Sequence, residues 1–484
     1  MTDHRVLLIN PPRIKGVSWT REGRCQEKEG ILGTVKPPFS LALSAAMLRE
    51  NKIAFKLIDA TALNINSDEI RDRLIGAGFR PDIIIYCTTT ATISADTEAL
   101  SAVKNRFNAR LIAFGAHLSG AAKETLEKLA DLDAGITGEP EYTILDILKQ
   151  ADLSDLSGVR GIAWRNGKEI RLNDSREWIE DLGRLPEPAW DLLPLENYLL
   201  PFTDEKYLLV ETSRGCPFAC DFCVVPLIHG LKFRGKGPEA VVGEIEGLKA
   251  KFGITFFNLF GDTATFNKEF MNSFCDEVIR RNIKIQWFTN TRADTLCDIN
   301  LVNKMKRSGC WMLSLGIESG SEETREHMQK KLETEKIEYA LRLLREAGIL
   351  SFGFFIYGYP GETEQAMHET TKFALSCPLD YANFYPAVPY PGTNFHATCV
   401  KEGLLASDSW DEMEYSRYIL KTKDLDEAVV KKAISGAYLR FYLRPQFILR
   451  HMKNIGPINF FAGSVKYGLK FLSANLKTAW SPGR

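Results

Sequence analysis

Two long stretches of the chain alternate short apolar runs with helical patterns, and this alternation restricts the fold more than any other feature. In the first stretch, runs rich in β-branched and aromatic residues occur at 5–10, 55–59, 82–87, 110–114 and 134–137. In the second stretch they occur at 207–211, 255–260, 283–290, 311–317, 350–356 and 380–388. Strands that are separated by helices pair in parallel, so the pattern predicts an α/β protein with two parallel sheets.

The number of repeats in each stretch indicates what each sheet becomes. Five strands within residues 1–150 predict a Rossmann-like, flavodoxin-type parallel sheet. Six strand–helix repeats within 207–395 predict a partial (β/α)6 TIM-like barrel, because ~180 residues is short for eight repeats. Residues 151–206, interrupted by prolines, are predicted to be a linker with one small hairpin. Residues 396–484 are predicted to be a helical C-terminal segment.

The charge balance and the apolar runs exclude several classes of protein. Lys and Arg total 61 against 62 for Asp and Glu, so the surface as a whole is no basic nucleic-acid footprint and no nucleic-acid partner is expected. No segment approaches the ~20 uninterrupted apolar residues of a membrane span. The first twelve residues contain too short an apolar run for a signal peptide. We therefore expect a cytoplasmic protein.

The end of the chain differs in composition from the rest. After Glu427 there is no acidic residue, whereas ten Lys or Arg residues alternate with nine aromatic ones. Such a basic, aromatic stretch is typical of a segment that lies on an anionic membrane surface. It is equally typical of a helical cap over the barrel mouth with a solvated basic face, so both interpretations stay open.

Three of the ten cysteines lie within eight residues, directly after an apolar strand-like run. Cys216, Cys220 and Cys223 are separated by three and then two residues. Thiolates bind iron–sulfur clusters or zinc, but a structural zinc site needs four ligands, and no second cysteine pair or histidine pair of suitable spacing is present. Three ligands on a four-iron cluster would leave one iron open to a ligand that takes part in chemistry.

This cysteine spacing after the first strand of a partial barrel resembles the signature of the radical S-adenosylmethionine (SAM) superfamily. The resemblance implies that the three cysteines bind a [4Fe-4S] cluster, and that SAM is cleaved there to a 5′-deoxyadenosyl radical. Phe222 matches the aromatic position that the family places against the adenine. Gly261 and Asp262 correspond to the segment that binds the SAM ammonium, where the family has two glycines and a glutamate. Glu318 resembles the carboxylate that addresses the SAM ribose.

The first α/β stretch alone is compatible with a dinucleotide-binding fold, a response-regulator-like module or a cobalamin domain. No GxGxxG motif follows its first strand, which disfavours a dinucleotide site. Joined in this order to such a barrel, residues 1–150 resemble the cobalamin (B12)-binding domain of the B12-dependent radical SAM class. The resemblance implies contacts to cobalamin from the loops after the strands, at Pro11, Thr88, Thr89, Thr90, Gly115, Ala116, His117, Gly138 and Glu139.

The lower face of the cobalt is where this sequence departs from many cobalamin domains. The family's Asp-x-His-x-x-Gly motif, whose histidine binds cobalt, does not occur here. His117 is the one histidine in a candidate loop, but it follows the fourth strand, so a surface or capping role is expected for it. The resemblance therefore implies cobalamin bound without a histidine ligand.

Together these resemblances imply an anaerobic, cobalamin-dependent radical SAM enzyme. The leading hypothesis is a C-methyltransferase that acts on an unactivated carbon of a bulky apolar substrate, such as a tetrapyrrole or a polycyclic lipid. The second is a ring-forming radical oxidoreductase of the group that contains the anaerobic magnesium-protoporphyrin IX monomethyl ester cyclase. The third, from a different class, is a non-catalytic iron–sulfur sensor. An electron donor such as flavodoxin or ferredoxin is implied for the enzymes, with peripheral membrane contact through the C-terminal segment.

Overall fold

The computed structural model describes residues 3–22, 28, 35–200 and 204–449, and these contain two seven-stranded sheets. The strands are β1 (Arg5–Asn10), β2 (Ala54–Asp59), β3 (Ile83–Cys87), β4 (Arg110–Phe114), β5 (Ala134–Ile136), β6 (Ile162–Asn166), β7 (Glu169–Leu172), β8 (Tyr207–Arg214), β9 (Arg234–Gly235), β10 (Phe256–Gly261), β11 (Gln286–Thr291), β12 (Cys310–Glu318), β13 (Leu350–Tyr357) and β14 (Tyr381–Pro386). The α-helices are α1 (Phe39–Glu50), α2 (Ala60–Leu63), α3 (Ser67–Gly76), α4 (Ile93–Phe107), α5 (Ala116–Lys128), α6 (Glu141–Lys149), α7 (Val225–Ile228), α8 (Pro238–Phe252), α9 (Lys268–Arg280), α10 (Ile299–Arg307), α11 (Glu322–His327), α12 (Thr334–Ala347), α13 (Glu364–Ser376), α14 (Asn394–Lys401) and α15 (Glu427–Tyr442).

The first sheet has the strand order β2-β1-β3-β4-β5-β6-β7, and its first five strands are parallel. This 2-1-3-4-5 order is the flavodoxin-type arrangement that the sequence predicts. The predicted hairpin is present as β6 and β7, which add two antiparallel strands to the same sheet. Regular structure of the first sheet therefore continues to Leu172, into the segment predicted to be a linker.

The central strand β3 shows why this part of the chain forms a two-sided sheet. All five of its residues are buried. Ile83 and Ile85 belong to the core on one face of the sheet, and Ile84 and Tyr86 belong to the core on the other. A strand that is covered on both faces needs a continuous apolar run, and the sequence of β3 supplies it.

The second sheet has the order β14-β13-β12-β11-β10-β8-β9. Six of its strands are parallel and follow one another in chain order, which confirms the predicted partial barrel. The two-residue strand β9 pairs antiparallel with β8 at one edge. Ligand-bearing loops in such a fold lie at the carboxyl ends of the parallel strands.

The other edge of the barrel, β14, is covered by α15. The hydroxyl of Tyr442 accepts a hydrogen bond from the Ala382 N–H (3.2 Å) and donates one to the Ala382 carbonyl oxygen (2.7 Å). The hydroxyl of Tyr438 accepts from the Phe384 N–H at 3.2 Å. These bonds satisfy backbone groups that an edge strand would otherwise expose. The described part of the C-terminal segment thus includes a helix along the open edge of the barrel.

The C-terminal stretch on which the membrane and cap interpretations depend is only partly covered. Residues 450–484, with most of its basic and aromatic side chains, lie outside the described residues. Across the described ranges, no helix combines the length and apolar character needed to cross a membrane.

Candidate functional site

The three clustered cysteines lie on the loop that follows β8. The loop begins at Gly215, whose φ is +80° and where an added Cβ would lie 2.1 Å from the carbonyl oxygen of Lys232. Only glycine can make this turn. Beyond it, Cys216 and Cys220 are buried and Cys223 is half-buried, so the loop keeps two of the three cysteines away from solvent.

Contacts from neighbouring strands place this loop at the barrel mouth. The Cys216 Sγ lies 3.1 Å from the hydroxyl oxygen of Thr263, just after β10. The Cys220 Sγ lies 3.9 Å from Nη1 of Arg292, the residue that follows β11. The loop is therefore at the carboxyl ends of β8, β10 and β11, where a parallel barrel carries its ligands.

The donor set suits a cluster better than a single metal ion. In the described part of the chain, no three His, Cys, Asp or Glu side chains are arranged to hold one ion. A four-iron cluster is bound differently, by thiolates on separate iron atoms. Three cysteines on one loop therefore fit an iron–sulfur cluster, whereas a closed zinc site would need a fourth ligand.

Two cations beside Cys220 were not found by reading the sequence. The Arg292 guanidinium lies 3.8 Å above the Phe218 ring and donates from Nη2 to the Lys330 carbonyl oxygen at 2.9 Å. The Lys330 ammonium is buried and donates to Glu318 Oε1 at 2.7 Å. Burial raises the pKa of the Cys220 thiol, and the charges of Lys330 and Arg292 oppose that rise. Arg292 follows a predicted strand, but nothing in the sequence marks Lys330.

Glu318 is held in an unusual backbone conformation at the end of β12. Its φ is +69°, and the pairing of β12 with β13 shifts register between Gly316 and Glu318. A Cβ added at Gly316 would lie 2.5 Å from Glu318 Oε1. The missing side chain at Gly316 therefore leaves room for the buried Glu318–Lys330 ion pair at the mouth.

Asp262 fixes the cysteine loop. Its Oδ2 accepts hydrogen bonds from the Gly215 N–H and from His229 Nδ1, each at 2.8 Å. Burial opposes protonation of His229, but the Asp262 carboxylate outweighs it, so the pKa of His229 is raised. Gly261 lies against β8, since an added Cβ would come within 2.7 Å of the Thr212 and Ser213 hydroxyls.

Phe222, the residue before Cys223, is partly buried and packs against the main hydrophobic core.

The loop after β13, which the sequence marks only by its Gly and Pro residues, carries a buried acid, Glu362. Its Oε2 accepts the Gly358 N–H at 2.6 Å, and the Tyr418 hydroxyl donates to the Gly358 carbonyl oxygen at 2.9 Å. Burial raises the pKa of Glu362 to about 8. Glu362 therefore keeps its proton at neutral pH.

At the edge of the first sheet, Pro11 and Thr88 belong to one buried polar network. Arg21 forms a two-pronged ion pair with Asp96, at 2.6 and 2.8 Å, and donates to the Pro11 carbonyl oxygen at 3.4 Å. The Thr88 hydroxyl donates to Asp96 at 2.9 Å. Thr89 is also buried, beside Thr88. The sequence prediction found the loops but missed the Arg21–Asp96 pair that joins them.

The turn between β4 and α5 contains Gly115, Ala116 and His117. Gly115 has φ +129°, and an added Cβ would lie 2.3 Å from the Thr88 carbonyl oxygen, so backbone meets backbone here. Ala116 begins α5 and is buried. The loops after β3 and β4 are thus in direct contact.

His117 is buried, so the expected surface role is wrong, and Gly115 rather than His117 precedes α5 as its cap. Its Nδ1 lies 3.3 Å from the Thr90 hydroxyl and its Nε2 lies 2.9 Å from the Thr125 hydroxyl. Burial, helped by Lys128, lowers the pKa of His117 to about 3. The ring is therefore neutral, with a protein partner at each nitrogen, which leaves neither nitrogen for cobalt.

Glu139 links the first sheet to the cysteine loop. The preceding residue, Gly138, donates its N–H to the Ser119 hydroxyl at 3.0 Å. Glu139 Oε1 lies 2.8 Å from Arg234 Nη2 and 3.4 Å from Arg214 Nη1. All three of these charged side chains are buried, and Arg214 stands two residues before Cys216.

Arg214 has two more carboxylate partners. It donates to Glu141 Oε1 at 2.7 Å and to Glu211 Oε1 at 2.8 Å. Burial alone would raise the pKa of Glu141, but the Arg214 charge and hydrogen bond lower it overall. We call Glu139, Glu141, Glu211, Arg214 and Arg234 the junction network.

A second contact between the two units involves glycines. A Cβ added at Gly120 on α5 would lie 2.1 Å from the Pro391 carbonyl oxygen, and one added at Gly392 would lie 2.6 Å from the Gly120 Cα. Gly392 also has φ +83°. The first sheet and the loop after β14 therefore approach through bare backbone.

Sequence comparisons give one family and relatives that match most of this chain. The sequence model of the radical SAM superfamily matches residues 210–374. An uncharacterized methyltransferase of Pyrococcus horikoshii is 30% identical over 451 residues, which cover 92% of this chain and 94% of the relative. The anaerobic magnesium-protoporphyrin IX monomethyl ester cyclase of Cereibacter sphaeroides is 27% identical over 427 residues, covering 86% of this chain and 68% of the relative.

Two solved structures share the fold. TsrM of Kitasatospora setae, a radical SAM methyltransferase with cobalamin and a [4Fe-4S] cluster bound, has a TM-score of 0.71 at 15% identity, covering 98% of this chain and 100% of that chain. OxsB, a cobalamin-dependent SAM radical enzyme with aqua-cobalamin and SAM bound, has a TM-score of 0.72 at 18% identity. The match to OxsB covers 99% of this chain and 73% of that chain.

Proposed function

The chain belongs to the radical SAM superfamily, and we propose that it is a cobalamin-dependent methyltransferase that methylates an unactivated carbon of a bulky apolar substrate. The observation that carries the proposal is the junction network. Through Glu139 and Arg214, it ties a loop at the ligand-binding edge of the first sheet to the residues just before Cys216. A cofactor at that edge would thus lie beside chemistry at the cysteine loop.

In this proposal Cys216, Cys220 and Cys223 hold a [4Fe-4S] cluster, which when bound supplies the electron that cleaves SAM. Lys330 and Arg292 place positive charge beside Cys220, where it offsets the negative charge of iron-bound thiolates. The Asp262 carboxylate holds the turn at Gly215, and with it the direction in which the cysteine loop leaves β8.

The SAM contacts remain the predicted set, Phe222, Gly261, Asp262 and Glu318. Two of them already form hydrogen bonds within the protein. Asp262 Oδ2 is shared by Gly215 and His229, and Glu318 Oε1 is bonded to Lys330. A SAM contact at Asp262 or Glu318 would therefore be made beside these internal bonds.

Cobalamin, when bound, would supply a carrier for the methyl group. The Gly115 turn packs directly on the Thr88 carbonyl oxygen, which brings the loops after β3 and β4 together at the edge where a flavodoxin-type sheet binds its ligand. We assign cobalamin contacts to Pro11, Thr88, Thr89, Thr90, Gly115, Ala116 and Gly138. His117 and Glu139, whose side chains are bonded inside the protein, are assigned to hold these loops in place.

The test uses the full chain, loaded anaerobically with iron, sulfide and cobalamin. It is incubated with methyl-deuterated SAM, a reductant and an organic extract of cells that lack the gene, in which unmethylated substrate accumulates. We expect S-adenosylhomocysteine and 5′-deoxyadenosine in equal amounts, together with one deuterated product by mass spectrometry. Formation of deoxyadenosine with no labelled product would contradict methyl transfer.

The second candidate function is radical ring closure, which the similarity to the cyclase over 86% of this chain favours. The same incubation separates the two reactions. A cyclase consumes SAM to deoxyadenosine without forming S-adenosylhomocysteine, and its product has lost hydrogen rather than gained a methyl group.

We further assign the reduction of the cluster to a flavodoxin or ferredoxin.

We assign membrane contact to the basic and aromatic residues from 450 on. A truncation tests this, and the fold determines where it should end. A chain that stops at Glu427 would lose α15 and uncover β14, whereas a chain that stops at Leu449 keeps both. Sedimentation with anionic liposomes should be lost in the chain that ends at Leu449; undiminished sedimentation would exclude the tail as the anchor.

A further inference from the structure

The concave face of the barrel is distinct from the face that packs on the helices. In β13 and β14 the side chains of Phe355, Tyr357 and Phe384 are fully buried, whereas their neighbours Phe354 and Tyr385 are half-buried. Phe384 packs on Phe441 and Tyr438 of α15, so the buried set faces the helices. Because side chains alternate along a strand, the half-buried set faces the concave side.

Strand register defines the members of this concave face. Residues paired across parallel strands share a face, and the pairs include Asn258–Phe288, Asn290–Ser314, Ser314–Phe352 and Phe352–Tyr381. We call the half-buried side of β10 to β14 the lumen face. The members used below are Asn258, Phe288, Asn290, Phe352, Phe354 and Tyr385, and the pairing with β8 adds Glu211 opposite Phe260.

Aromatic rings dominate the lumen face. Phe352 and Phe354 stack at 4.9 Å between ring centroids, and Phe354 lies nearly parallel to Tyr385 at 6.2 Å. In the first halves of β10, β11 and β12, Trp311 packs edge-on against Phe288 at 5.7 Å and Phe256 at 6.4 Å. Each of these two groups of rings favours a flat apolar ligand stacked upon it.

Charge is almost absent from this region. Strands β10 to β14 contain one charged residue, Glu318, and its carboxylate is paired with Lys330 at the mouth. A phosphate or carboxylate held against these five strands would lose its hydration without meeting a cation from them, which is costly. Cations at the β8 side include Arg214, which is paired with Glu211, and Lys36, whose ammonium lies 5.3 Å from the Phe260 ring.

Neutral hydrogen-bonding groups take the place of charges. Within the described ranges, the half-buried side-chain amides of Asn258 and Asn290 form no hydrogen bond to the protein. In the same ranges the buried indole N–H of Trp311 has no acceptor. Buried polar groups of native proteins normally have partners, so the Trp311 N–H indicates an acceptor on a ligand. The half-buried amides of Asn258 and Asn290 can bond neutral oxygen or nitrogen atoms of the same ligand.

We propose that the lumen face binds a planar, uncharged ring system, which stacks on Phe354 or Trp311 and is hydrogen-bonded by Asn258, Asn290 and the Trp311 N–H. This deepens the proposed function, on which it rests for the reaction, by naming the substrate class. Any charged substituents of the substrate would stay outside the lumen, beyond the barrel mouth.

The test measures binding of three neutral planar probes of increasing size, indole, pyrene and protoporphyrin IX dimethyl ester, to the full chain by equilibrium dialysis. At least one probe should bind, and Phe354→Ala should weaken that probe at least tenfold. Asn290→Asp, which adds a charge at constant size, should weaken it by a similar factor, so the result does not depend on one variant folding. Tyr339→Ala removes an exposed ring from α12 and should leave affinity unchanged.

Cytidine 5′-monophosphate serves as the charged comparison and should not displace the probe. The inference is overturned if no neutral probe binds, if both lumen variants bind as the parent does, or if the nucleotide displaces the probe. Methyl transfer is followed separately. Probe binding with this pattern in a chain that transfers no methyl group would refute the proposed function alone; methyl transfer to a charged, acyclic compound would refute this inference alone.

Discussion

At the scale of single residues, the most informative side chains are the three thiols on one loop. Replacing Cys216, Cys220 or Cys223 by Ala should lower the iron content of the reconstituted protein at least about fivefold, because each thiolate is one of the three ligands of the proposed cluster. Iron is measured by colorimetric assay after desalting. Cys297→Ala, at an exposed cysteine, is the matched control and should keep its iron. Full iron in all three variants would contradict the cluster assignment.

Arg214 is the residue on which the junction network depends. Arg214→Met should destabilise the protein by about 3–5 kcal/mol, because it leaves buried carboxylates without their cation. Chemical denaturation monitored by circular dichroism measures the change. Lys232→Met breaks an exposed, solvent-screened ion pair with Glu180 and should leave the free energy of unfolding nearly unchanged. Equal losses in the two variants would mean that the network adds nothing to the fold.

The raised pKa of Glu362 predicts that the stability of the fold depends on pH. Its folded-state pKa of about 8 lies above the ordinary 4.5, so the folded protein keeps a proton that the unfolded chain releases. Stability should therefore fall as pH rises from 4.5 to 8, and Glu362→Gln should flatten that part of the profile. Thermal midpoints at a series of pH values test this. Glu364→Gln, two residues on, is the control and should keep the slope of the parent.

Among residues, sequence reading succeeds where the pattern is local. The cysteines are recognisable because they are three and two residues apart. Arg292 lies 72 residues from Cys220, and Arg21 lies 75 residues from Asp96, so only the folded chain brings them together. The burial of His117 is likewise a tertiary effect, because the ring of the distant residue Trp410 packs against it at 4.5 Å between centroids.

At the scale of elements, α15 acts as a cover for the open edge of the barrel. Replacing Tyr438 and Tyr442 together by Phe removes the hydroxyls that bond the backbone of β14. We expect a loss of about 1–3 kcal/mol for each backbone group left without a partner, and aggregation through the exposed edge. Denaturation and light scattering measure both effects. Tyr339→Phe, on the exposed face of α12, should change neither.

The predicted strands agree closely with the observed ones because buried parallel strands need continuous apolar runs. Arg5–Asn10 and Arg110–Phe114 have the predicted bounds. The two-residue strand β9 was missed because nothing so short has a periodicity. Its pairing with β8 is decided by the turn at Gly215 and by tertiary contacts.

At the scale of the whole molecule, the two units meet through Gly120 and Gly392. Gly120→Ala should destabilise the protein by about 1–3 kcal/mol, because the new methyl group would overlap the Pro391 carbonyl oxygen. It should also weaken cobalamin retention, measured by absorbance after gel filtration. Gly247→Ala, on α8 with open space around it, should instead stabilise the protein by about 0.4–1 kcal/mol. A Gly120→Ala protein as stable as the parent would contradict the close backbone contact between Gly120 and Pro391.

The junction network also limits how far the two units are interchangeable. A recombinant chain that takes its first sheet from a relative and keeps this barrel would set foreign loops against Arg214 and Arg234. Unless the donor brings acids at the positions of Glu139 and Glu141, two guanidinium groups would be left buried with too little negative charge. The first sheet and the barrel can therefore be exchanged only if the acids of the first unit and the arginines of the barrel are transferred together.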